Sequence, residues 1–229
     1  MDDLDIRLLV DLLRDRITPD KGLGQHYLLD ESVVERSIEL ANSTHPLANS
    51  RVIEIGPGAG SLTLGLLGAG ASVTAFEVDE ESVSHLARVF NGADGRLEVI
   101  NRDALLADWP EEVSHVVANI PYQISSPLLD RIQKHHSQHP LNTVVLLLQD
   151  EFAERMMINR DDTASGPLSR YGSISMSNWM SKYRHTASAQ HLGSVHGWSD
   201  YNQSQERLKS IAGCLEPSQI TALQTNDAR

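Results

Sequence analysis

The sequence predicts an α/β fold, in which helices cover both faces of an open, doubly wound and mostly parallel β-sheet. Three observations lead to this prediction. An apolar, β-branched run ends in the glycine-dense turn at 56–60 and is followed by sequence that suits a helix. Further apolar runs follow, and helical or turn-rich sequence separates each run from the next. The run at 143–149 is apolar enough to be buried on both faces, as parallel strands are.

The N-terminal part of the chain predicts two helices. Residues 4–16 place leucines on one helical stripe, and Pro19 ends this element. The stripe consists of Leu4, Leu8, Leu9, Leu12 and Leu13. We interpret it as a core face rather than a face that binds a membrane or a partner. A loop with two glycines follows at 21–30, and a second helix is predicted over residues 31–41.

Five strands are predicted between the second helix and residue 149. They cover residues 52–55, 72–76, 97–100, 114–118 and 143–149, and a helix is predicted near residues 80–90. Beyond Asn159 the pattern weakens. Residues 171–176 alternate like a sixth strand, but no seventh strand is predicted in the Ser-, His- and Gln-rich sequence that follows.

These patterns divide the chain into three parts. Residues 1–20 form an N-terminal helix, and residues 21–178 form the sheet domain. Residues 179–229 make an atypical tail, whose weak periodicity favours disorder. At 229 residues and 40% apolar side chains, the chain is long enough for one full α/β domain with its own core.

Composition excludes several classes of protein. No stretch approaches the length of a membrane span, and the acidic start is not a signal peptide, so we expect a cytoplasmic protein. The one cysteine, Cys214, excludes an internal disulfide and a cysteine-built zinc site. With 31 acidic against 19 basic residues the formal net charge is -12, whereas nucleic-acid binders are normally basic. An interaction with RNA therefore has to rest on motifs.

The glycine turn has the spacing Gly56-x-Gly58-x-Gly60, which differs from the Gly-x-Gly-x-x-Gly of dinucleotide-binding turns. Glu54 lies two residues before it, where a carboxylate is poorly placed for a pyrophosphate but suits a cationic ligand. The spacing resembles motif I of S-adenosylmethionine-dependent methyltransferases, whose cofactor carries a sulfonium and an ammonium but no phosphate. The alternative is a turn that serves only strand-to-helix packing.

Two acidic residues at strand ends extend the predicted cofactor site. Glu77 ends the second strand about twenty residues past the glycine turn, the usual position of a carboxylate that binds ribose hydroxyls, and Asp79 follows it. Asp103 comes just after the third strand, where it can accept a hydrogen bond from the adenine amine of the cofactor. The alternative for Glu77 is a solvated carboxylate at a strand end.

The fourth strand runs into Asn119-Ile120-Pro121-Tyr122, the sharpest chemical signal in the sequence. The exocyclic amine of adenine is a poor nucleophile, and two acceptors aimed at its hydrogens push its lone pair towards an electrophile. We assign these acceptors to the side-chain oxygen of Asn119 and the carbonyl of Ile120, held outward by Pro121. Tyr122 offers a face on which an extruded base can stack. The alternative is a plain proline-containing loop.

Together these motifs resemble one family, the small-subunit ribosomal RNA adenine N6,N6-dimethyltransferases of archaeal or bacterial type. The resemblance covers residues 20–158, including the loop at 21–28 and the segment at 148–155. It implies a class I, Rossmann-like methyltransferase fold with S-adenosylmethionine as cofactor. It also implies transfer of two methyls to the N6 amine of each of two adjacent adenosines near the 3′ end of the rRNA. The expected partner is the immature small ribosomal subunit, and we expect the protein to be a monomer.

The motifs and the resemblance together give the candidate site residues. The predicted catalytic residues are Asn119, Ile120, Pro121 and Tyr122. The predicted cofactor-binding residues are Gln25, His26, Leu28, Glu54, Gly56, Gly58, Gly60, Glu77, Asp103 and Asn119. No metal ligand is predicted. The histidine-rich run at 135–139 is interpreted as a solvated helix end, because no cysteine lies nearby and Pro140 breaks the segment.

The resemblance fails from about residue 181 onward. The family has a further helical domain after the catalytic one, and we expect this domain to be largely missing here. A second hypothesis is therefore a non-catalytic ribosome-assembly or RNA-binding factor that keeps the cofactor fold. A third is a methyltransferase acting on adenine of large-subunit rRNA, which shares every motif with the first.

Overall fold

The computed structural model describes residues 4–15, 27–91 and 93–149 and the backbone of two further strands. Seven strands form one sheet in the order β3-β2-β1-β4-β5-β7-β6. The strands are β1 (Arg51–Ile55), β2 (Ser72–Glu77), β3 (Leu97–Asn101), β4 (His115–Asn119), β5 (Thr143–Gln149), β6 (Lys182–His185) and β7 (Gln219–Asp227). The helices are α1 (Ile6–Arg14), α2 (Glu31–Thr44), α3 (Ser61–Gly68), α4 (Glu80–Val89) and α5 (Ser125–Gln138), with a 3-10 turn at Tyr122–Ile124.

The order of the strands reverses between β1 and β4. The chain winds outward from β1 to β3 and then returns to β4, which pairs with the free side of β1. All pairings between the described strands are parallel, as the sequence predicts. The register sets Ile55 beside both Phe76 and Ala118. The carboxyl ends of β1, β2 and β4 therefore meet at the reversal, where open α/β sheets bind their ligands.

Alternation along the buried strands sends side chains into two cores. On one face of the sheet, Val52 and Val117 pack with residues of α1 to α4. On the other face, Ile53 and Val116 pack with residues of α5. Glu54 is an even-numbered residue of β1 like Val52, so its carboxyl enters the first of these cores.

Aspartate side chains begin three of the helices. Asp5, Asp30 and Asp79 each accept a hydrogen bond from a backbone amide in the first turn of α1, α2 and α4, respectively. Such caps satisfy amides that have no partner within the helix. Asp79, which follows the predicted ribose-binding Glu77, therefore fixes the start of α4 beside the end of β2.

The structure corrects the predicted leucine stripe of α1. The buried residues of this helix are Ile6, Leu9, Val10 and Leu13. Leu8 and Leu12 are instead 40% and 37% exposed. Leu9 and Leu13 are buried and Leu4 packs against the core, so the interpretation of the stripe as a core face is confirmed. The stripe was wrong at Leu8 and Leu12, because it left out the β-branched Ile6 and Val10, which follow the three- and four-residue spacing of the buried face. Within the part of the chain that the structure describes, no helix is long and apolar enough to span a membrane.

The structure also contains a strand that the sequence does not predict. β7 lies between β5 and β6 and pairs with β5 from Thr143↔Gln219 to Gln149↔Thr225. The prediction of no seventh strand was therefore wrong. The strand itself is mostly polar and alternates weakly, so the free edge of β5 rather than a local pattern accounts for the pairing. The strand predicted at 171–176 lies outside the described residues, and the strand β6 of the structure is formed by Lys182–His185.

Candidate active site

The glycine turn joins β1 to α3 with little free space around it. Gly56, Gly58 and Gly60 have φ angles of 65°, 55° and 91°, in the left-handed region that favours glycine. A Cβ placed on Gly60 would lie 2.5 Å from a ring carbon of Phe90 on the packed side of the turn. On the side of α1, the ring of Tyr27 lies 3.4 Å from the Cβ position of Gly58. Helix α4 and Tyr27 thus hold the turn from two sides.

His85 supports the same turn and carries no signal in the sequence. It is buried on α4, and its Nε2 lies 3.2 Å from the carbonyl oxygen of Ala59. Because a carbonyl only accepts, Nε2 must carry the hydrogen of this bond. The guanidinium of Arg88 lies 3.4 Å from the other ring nitrogen. Sequence reasoning missed His85 because one histidine within a helix forms no recognisable motif.

Glu77 ties the end of β2 to the glycine turn. Its carboxylate accepts hydrogen bonds from the backbone amides of Gly58 at 3.1 Å, Val78 at 2.8 Å and Asp79 at 3.0 Å. Burial raises the pKa of Glu77, and the hydrogen bonds from these amides oppose that rise. The side chain is therefore held in one position before any ligand binds. Its predicted role as the ribose-binding carboxylate stays a prediction.

Glu54 is the most deeply buried acid of the site, with 1% of its surface exposed. The hydroxyl of Thr63 on α3 donates to its Oε2 at 2.7 Å. Its Oε1 is buried and has no hydrogen-bond partner among the described residues. Burial raises the pKa of Glu54 to about 8, the negative charge of Glu77 adds to the rise, and the Thr63 hydrogen bond opposes it. The site thus contains a buried acceptor without a donor among the residues that the structure describes.

Asp103 follows β3 at the same edge of the sheet. Its Oδ1 accepts a hydrogen bond from the backbone amide of Leu105 at 2.8 Å, which orients the partly buried carboxylate. Two exposed apolar side chains lie near these acids in the chain. Val78 follows Glu77 and is 52% exposed, and Leu106 lies in the loop after Asp103 and is 83% exposed.

Asn119 ends β4 next to the glycine turn. The Cβ position of Gly56 lies 4.0 Å from the carbonyl oxygen of Asn119. The amide of Ile120 donates to the carbonyl of Leu147 on β5 at 3.2 Å, and the Ile120 side chain is buried. The carbonyl of Pro121 accepts from the amide of Ile124 and closes the 3-10 turn. The backbone of the predicted catalytic segment is therefore anchored at both ends.

Three of the remaining predicted residues are less fully described. Gln25 and His26 lie outside the described residues, and only the backbone of Tyr122 is described. Leu28 is 4% exposed and packs in the core beside α2 and α3. The hydroxyl of Ser61 donates to the Leu28 carbonyl at 2.7 Å and ties this residue to the first turn of α3.

The histidine-rich run at the end of α5 differs from its prediction. His135 is 3% exposed and lies against Trp109, with ring centroids 5.3 Å apart, so it is not part of a solvated helix end. Burial lowers its pKa, and the nearby His139, Arg131 and His136 add to this. Among the described residues, no group of three or more His, Cys, Asp or Glu side chains could hold a metal ion.

Comparisons with known proteins decide the family. A family model described as "Ribosomal RNA adenine dimethylase" matches residues 18–178. The chain belongs to this family. The curated "Ribosomal RNA small subunit methyltransferase A" of Leifsonia xyli subsp. xyli is 37% identical over 178 residues, which are 75% of this chain and 59% of that protein. The chain thus spans less than two thirds of that relative's length.

Two solved structures are similar to this fold. A dimethyladenosine transferase from Plasmodium falciparum matches with a TM-score of 0.51 and 33% identity, covering 61% of this chain and 49% of the other. The 23S rRNA methyltransferase ErmE matches with a TM-score of 0.50 and 30% identity, covering 56% of this chain and 50% of the other. The predicted fold class, a class I S-adenosylmethionine-dependent methyltransferase, is confirmed.

Proposed function

We propose that this chain dimethylates the N6 amine of two adjacent adenosines near the 3′ end of small-subunit rRNA during ribosome biogenesis. The observation that carries the proposal is the position of Asn119. The strand pairing of β1 with β4 sets this residue beside the glycine turn, so a cofactor and a target base would meet there. The family and the printed names of its relatives support the same reaction. We further propose that the protein works in the cytoplasm as a monomer on the immature subunit.

The described residues fit S-adenosylmethionine as the cofactor. The Oε1 of Glu54 has no partner in the described part of the chain, and this buried acceptor suits a ligand that carries an ammonium. Glu77 is held at the end of β2 in the position of a ribose-binding carboxylate, and Asp103 follows the neighbouring strand β3. S-adenosylmethionine supplies an electrophilic methyl on its sulfonium.

The residues of the chain itself would position the target amine and polarise it. The side-chain oxygen of Asn119 and the carbonyl of Ile120 would accept the two hydrogens of the target amine and turn its lone pair towards the methyl. The 3-10 turn at Tyr122–Ile124 and the bond from Ile120 to Leu147 fix the backbone that carries both acceptors. No residue with a shifted pKa is needed as a general base, because the amine loses its proton readily once it is methylated. Catalysis would then be mainly electrostatic and positional.

One observation favours a second candidate, methylation of adenine in large-subunit rRNA. The structure with 30% identity and a TM-score of 0.50 is a 23S rRNA methyltransferase. Both candidates would use the same site residues, so the rRNA that accepts the methyl groups separates them.

The experiment is methyl transfer from labelled S-adenosylmethionine to immature small ribosomal subunits that lack the modification, at low and high salt. Two methyls on each of two adjacent adenosines, located by nuclease digestion and mass spectrometry, would support the proposal. Label that enters only large-subunit rRNA would favour the second candidate. Cofactor binding with no transfer to either subunit would favour a non-catalytic assembly factor.

The substitution Asn119→Ala tests the mechanism in the same assay. Loss of one positioned polar group in an active site lowers the rate by about a hundred- to a thousandfold. We expect a loss of that size in transfer and a smaller loss in cofactor affinity. Asn142→Ala is the matched control, because Asn142 is exposed before β5 at the opposite edge of the sheet. Transfer at the wild-type rate by the Asn119→Ala variant would contradict the mechanism.

A further inference from the structure

We propose that Glu54 is protonated in the cofactor-free protein and gives up this proton when the ammonium group of the cofactor binds its free oxygen. Cofactor binding would then be linked to proton release, and cofactor affinity would depend on pH through a residue that takes no part in methyl transfer. The inference rests on the proposed function, because it concerns the same cofactor site.

The surroundings of Glu54 favour the neutral carboxyl before a ligand binds. The side chain is 1% exposed and shares its core with apolar residues such as Val52 and Leu66. Thr63 supplies one hydrogen bond to Oε2, and no described residue donates to Oε1. An ionised carboxylate with one hydrogen bond in an apolar core is costly, so the group retains its proton instead. A pKa of about 8, raised mainly by burial, agrees with this geometry.

An ammonium is the hydrogen-bond donor that suits Oε1 best. An ammonium offers three N–H donors and a positive charge, whereas a sulfonium sulfur has no hydrogen to donate. The ribose hydroxyls have a separate acceptor in Glu77. A cation within hydrogen-bond distance favours the ionised carboxylate, so its arrival would reverse the effect of burial and expel the proton.

The other ionisable groups around the turn do not supply this proton as readily. Glu77 on β2 faces Glu54, and its negative charge helps Glu54 to retain a proton. Its own pKa is raised, but three backbone amides already donate to its carboxylate. Burial, followed by the charges of Asp79 and Glu77, raises the pKa of Tyr27 to about 12, so this phenol stays neutral. From α4, His85 faces the turn with its Nε2 hydrogen directed to Ala59. Asn119 on β4 carries no charge.

The pH range in which the proton is released follows from both partners. The carboxylate next to the amine of S-adenosylhomocysteine stabilises the ammonium, so the ligand keeps its charge from pH 6 to 8. Well below pH 8, a neutral Glu54 meets this ammonium and binding releases about one proton. Affinity should therefore rise by up to about tenfold for each pH unit from pH 6 towards pH 8.

Isothermal titration calorimetry of the full chain tests this. The probe is S-adenosylhomocysteine, which has the ammonium and lacks the sulfonium. Titrations at pH 6, 7, 8 and 9, each in two buffers of different ionisation enthalpy, give the number of protons exchanged. A second probe, 5′-methylthioadenosine, has the adenosine part but no ammonium. The variant is Glu54→Gln, and Glu98→Gln on β3 is the matched control, because it removes an exposed carboxyl.

We expect the wild type and Glu98→Gln to release about one proton with S-adenosylhomocysteine at pH 6, and to exchange none with 5′-methylthioadenosine. Glu54→Gln should bind S-adenosylhomocysteine about ten- to a hundredfold more weakly at pH 8, without the rise in affinity from pH 6 to 8. Binding without proton release at pH 6, or release that persists in Glu54→Gln, would overturn this inference and leave the proposed function in place. Failure of S-adenosylhomocysteine to bind at any pH would overturn both.

Discussion

The two edges of the sheet each contain a buried ionisable side chain, and the two side chains differ in how fully their polar atoms are hydrogen-bonded. At the amino edge, His115 begins β4 with none of its surface exposed, and both ring nitrogens have partners. These are the Ser114 hydroxyl at 2.7 Å and the His45 carbonyl at 3.1 Å. At the carboxyl edge, Glu54 is equally buried, but only one of its two oxygens has a partner among the described residues. Burial lowers the pKa of His115 and raises that of Glu54, so it favours the neutral form of both.

This difference separates a residue that stabilises the fold from residues that are available to bind a ligand. Both ring nitrogens of His115 have hydrogen-bond partners within the chain, so this side chain offers no unsatisfied group to a ligand. The carboxyl edge combines an acceptor that no described residue satisfies, a second buried acid and a glycine turn with positive φ angles. Each of these features lowers the stability of the folded protein. Such features are typical of functional sites, where the surrounding structure enforces them. Substitutions at the two edges should therefore have different consequences.

The largest expected effect comes from Gly60→Ala at the carboxyl edge. The new alanine would have to adopt a φ near 91°, and its Cβ would lie 2.5 Å from a ring carbon of Phe90. The left-handed conformation and overpacking together cost about 3 kcal/mol of the free energy of unfolding. We expect that loss in urea unfolding, together with weaker binding of S-adenosylmethionine.

Gly68→Ala is the control for this substitution. A Cβ at Gly68, at the end of α3, meets nothing within 4 Å. Replacing a helical glycine by alanine there should stabilise the protein by up to about 1 kcal/mol. If Gly60→Ala were as stable as Gly68→Ala, the turn would not be held as tightly as the structure indicates.

A smaller effect is expected from His115→Gln at the amino edge. Loss of the hydrogen bonds to Ser114 and His45 should lower the free energy of unfolding by about 2 kcal/mol at pH 7.5. Because the folded pKa of His115 is depressed, its stabilising contribution is present above the unfolded pKa of about 6.5 and is lost as the pH falls below it. The difference between wild type and variant should therefore shrink at pH 5.5.

Urea unfolding at both pH values measures this change. His135 also has a depressed pKa, so some loss of stability in acid should remain in the variant. A difference between wild type and His115→Gln that stays constant from pH 7.5 to 5.5 would mean that His115 does not stay neutral in the fold.

The smallest effect is expected from Ser114→Ala. The half-buried hydroxyl lies 2.7 Å from His115 Nδ1 and 3.1 Å from the carbonyl oxygen of Arg51. Its removal should lower the free energy of unfolding by about 1 kcal/mol. Because this residue lies at the edge opposite the cofactor site, S-adenosylmethionine affinity should stay within about twofold of wild type, a change of less than 1 kcal/mol. A larger change in affinity would show that the two edges are coupled.

Sequence patterns predicted the central sheet because each strand is a short apolar run with clear boundaries. β1 to β5 begin and end within one residue of their predicted limits, and the turn between β1 and α3 has the glycines that its φ angles require. The leucine stripe of α1 was correct at Leu9 and Leu13 but wrong at the exposed Leu8 and Leu12. Leucine alone does not mark a helical face when Ile6 and Val10 share it. β7 was missed, because its pairing depends on the free edge of β5 rather than on its own alternation.

The chemical types of the site residues were visible in the sequence, but their environments were not. Spacing placed Glu54, Glu77 and Asn119 at strand ends, and the strand order brings these ends together. The depth at which Glu54 is buried depends on α3 packing over β1 and on Thr63, nine residues away. His85 acts on the turn through a contact between α4 and Ala59, which no local pattern records. Contacts between elements decide these properties.

The measurement that tests the contrast between the edges most directly is the pH dependence of unfolding of the cofactor-free wild type and Glu54→Gln. The folded pKa of Glu54 is raised from 4.5 to about 8, so its contribution is fully present below pH 4.5 and is lost as the pH rises through about 8. The loss is on the order of 1.4 kcal/mol per pH unit in that window. Glu54→Gln should therefore be more stable than wild type at pH 9, and the difference should shrink towards pH 5. A variant less stable than wild type at pH 9 would contradict the view that this edge is completed by its ligand.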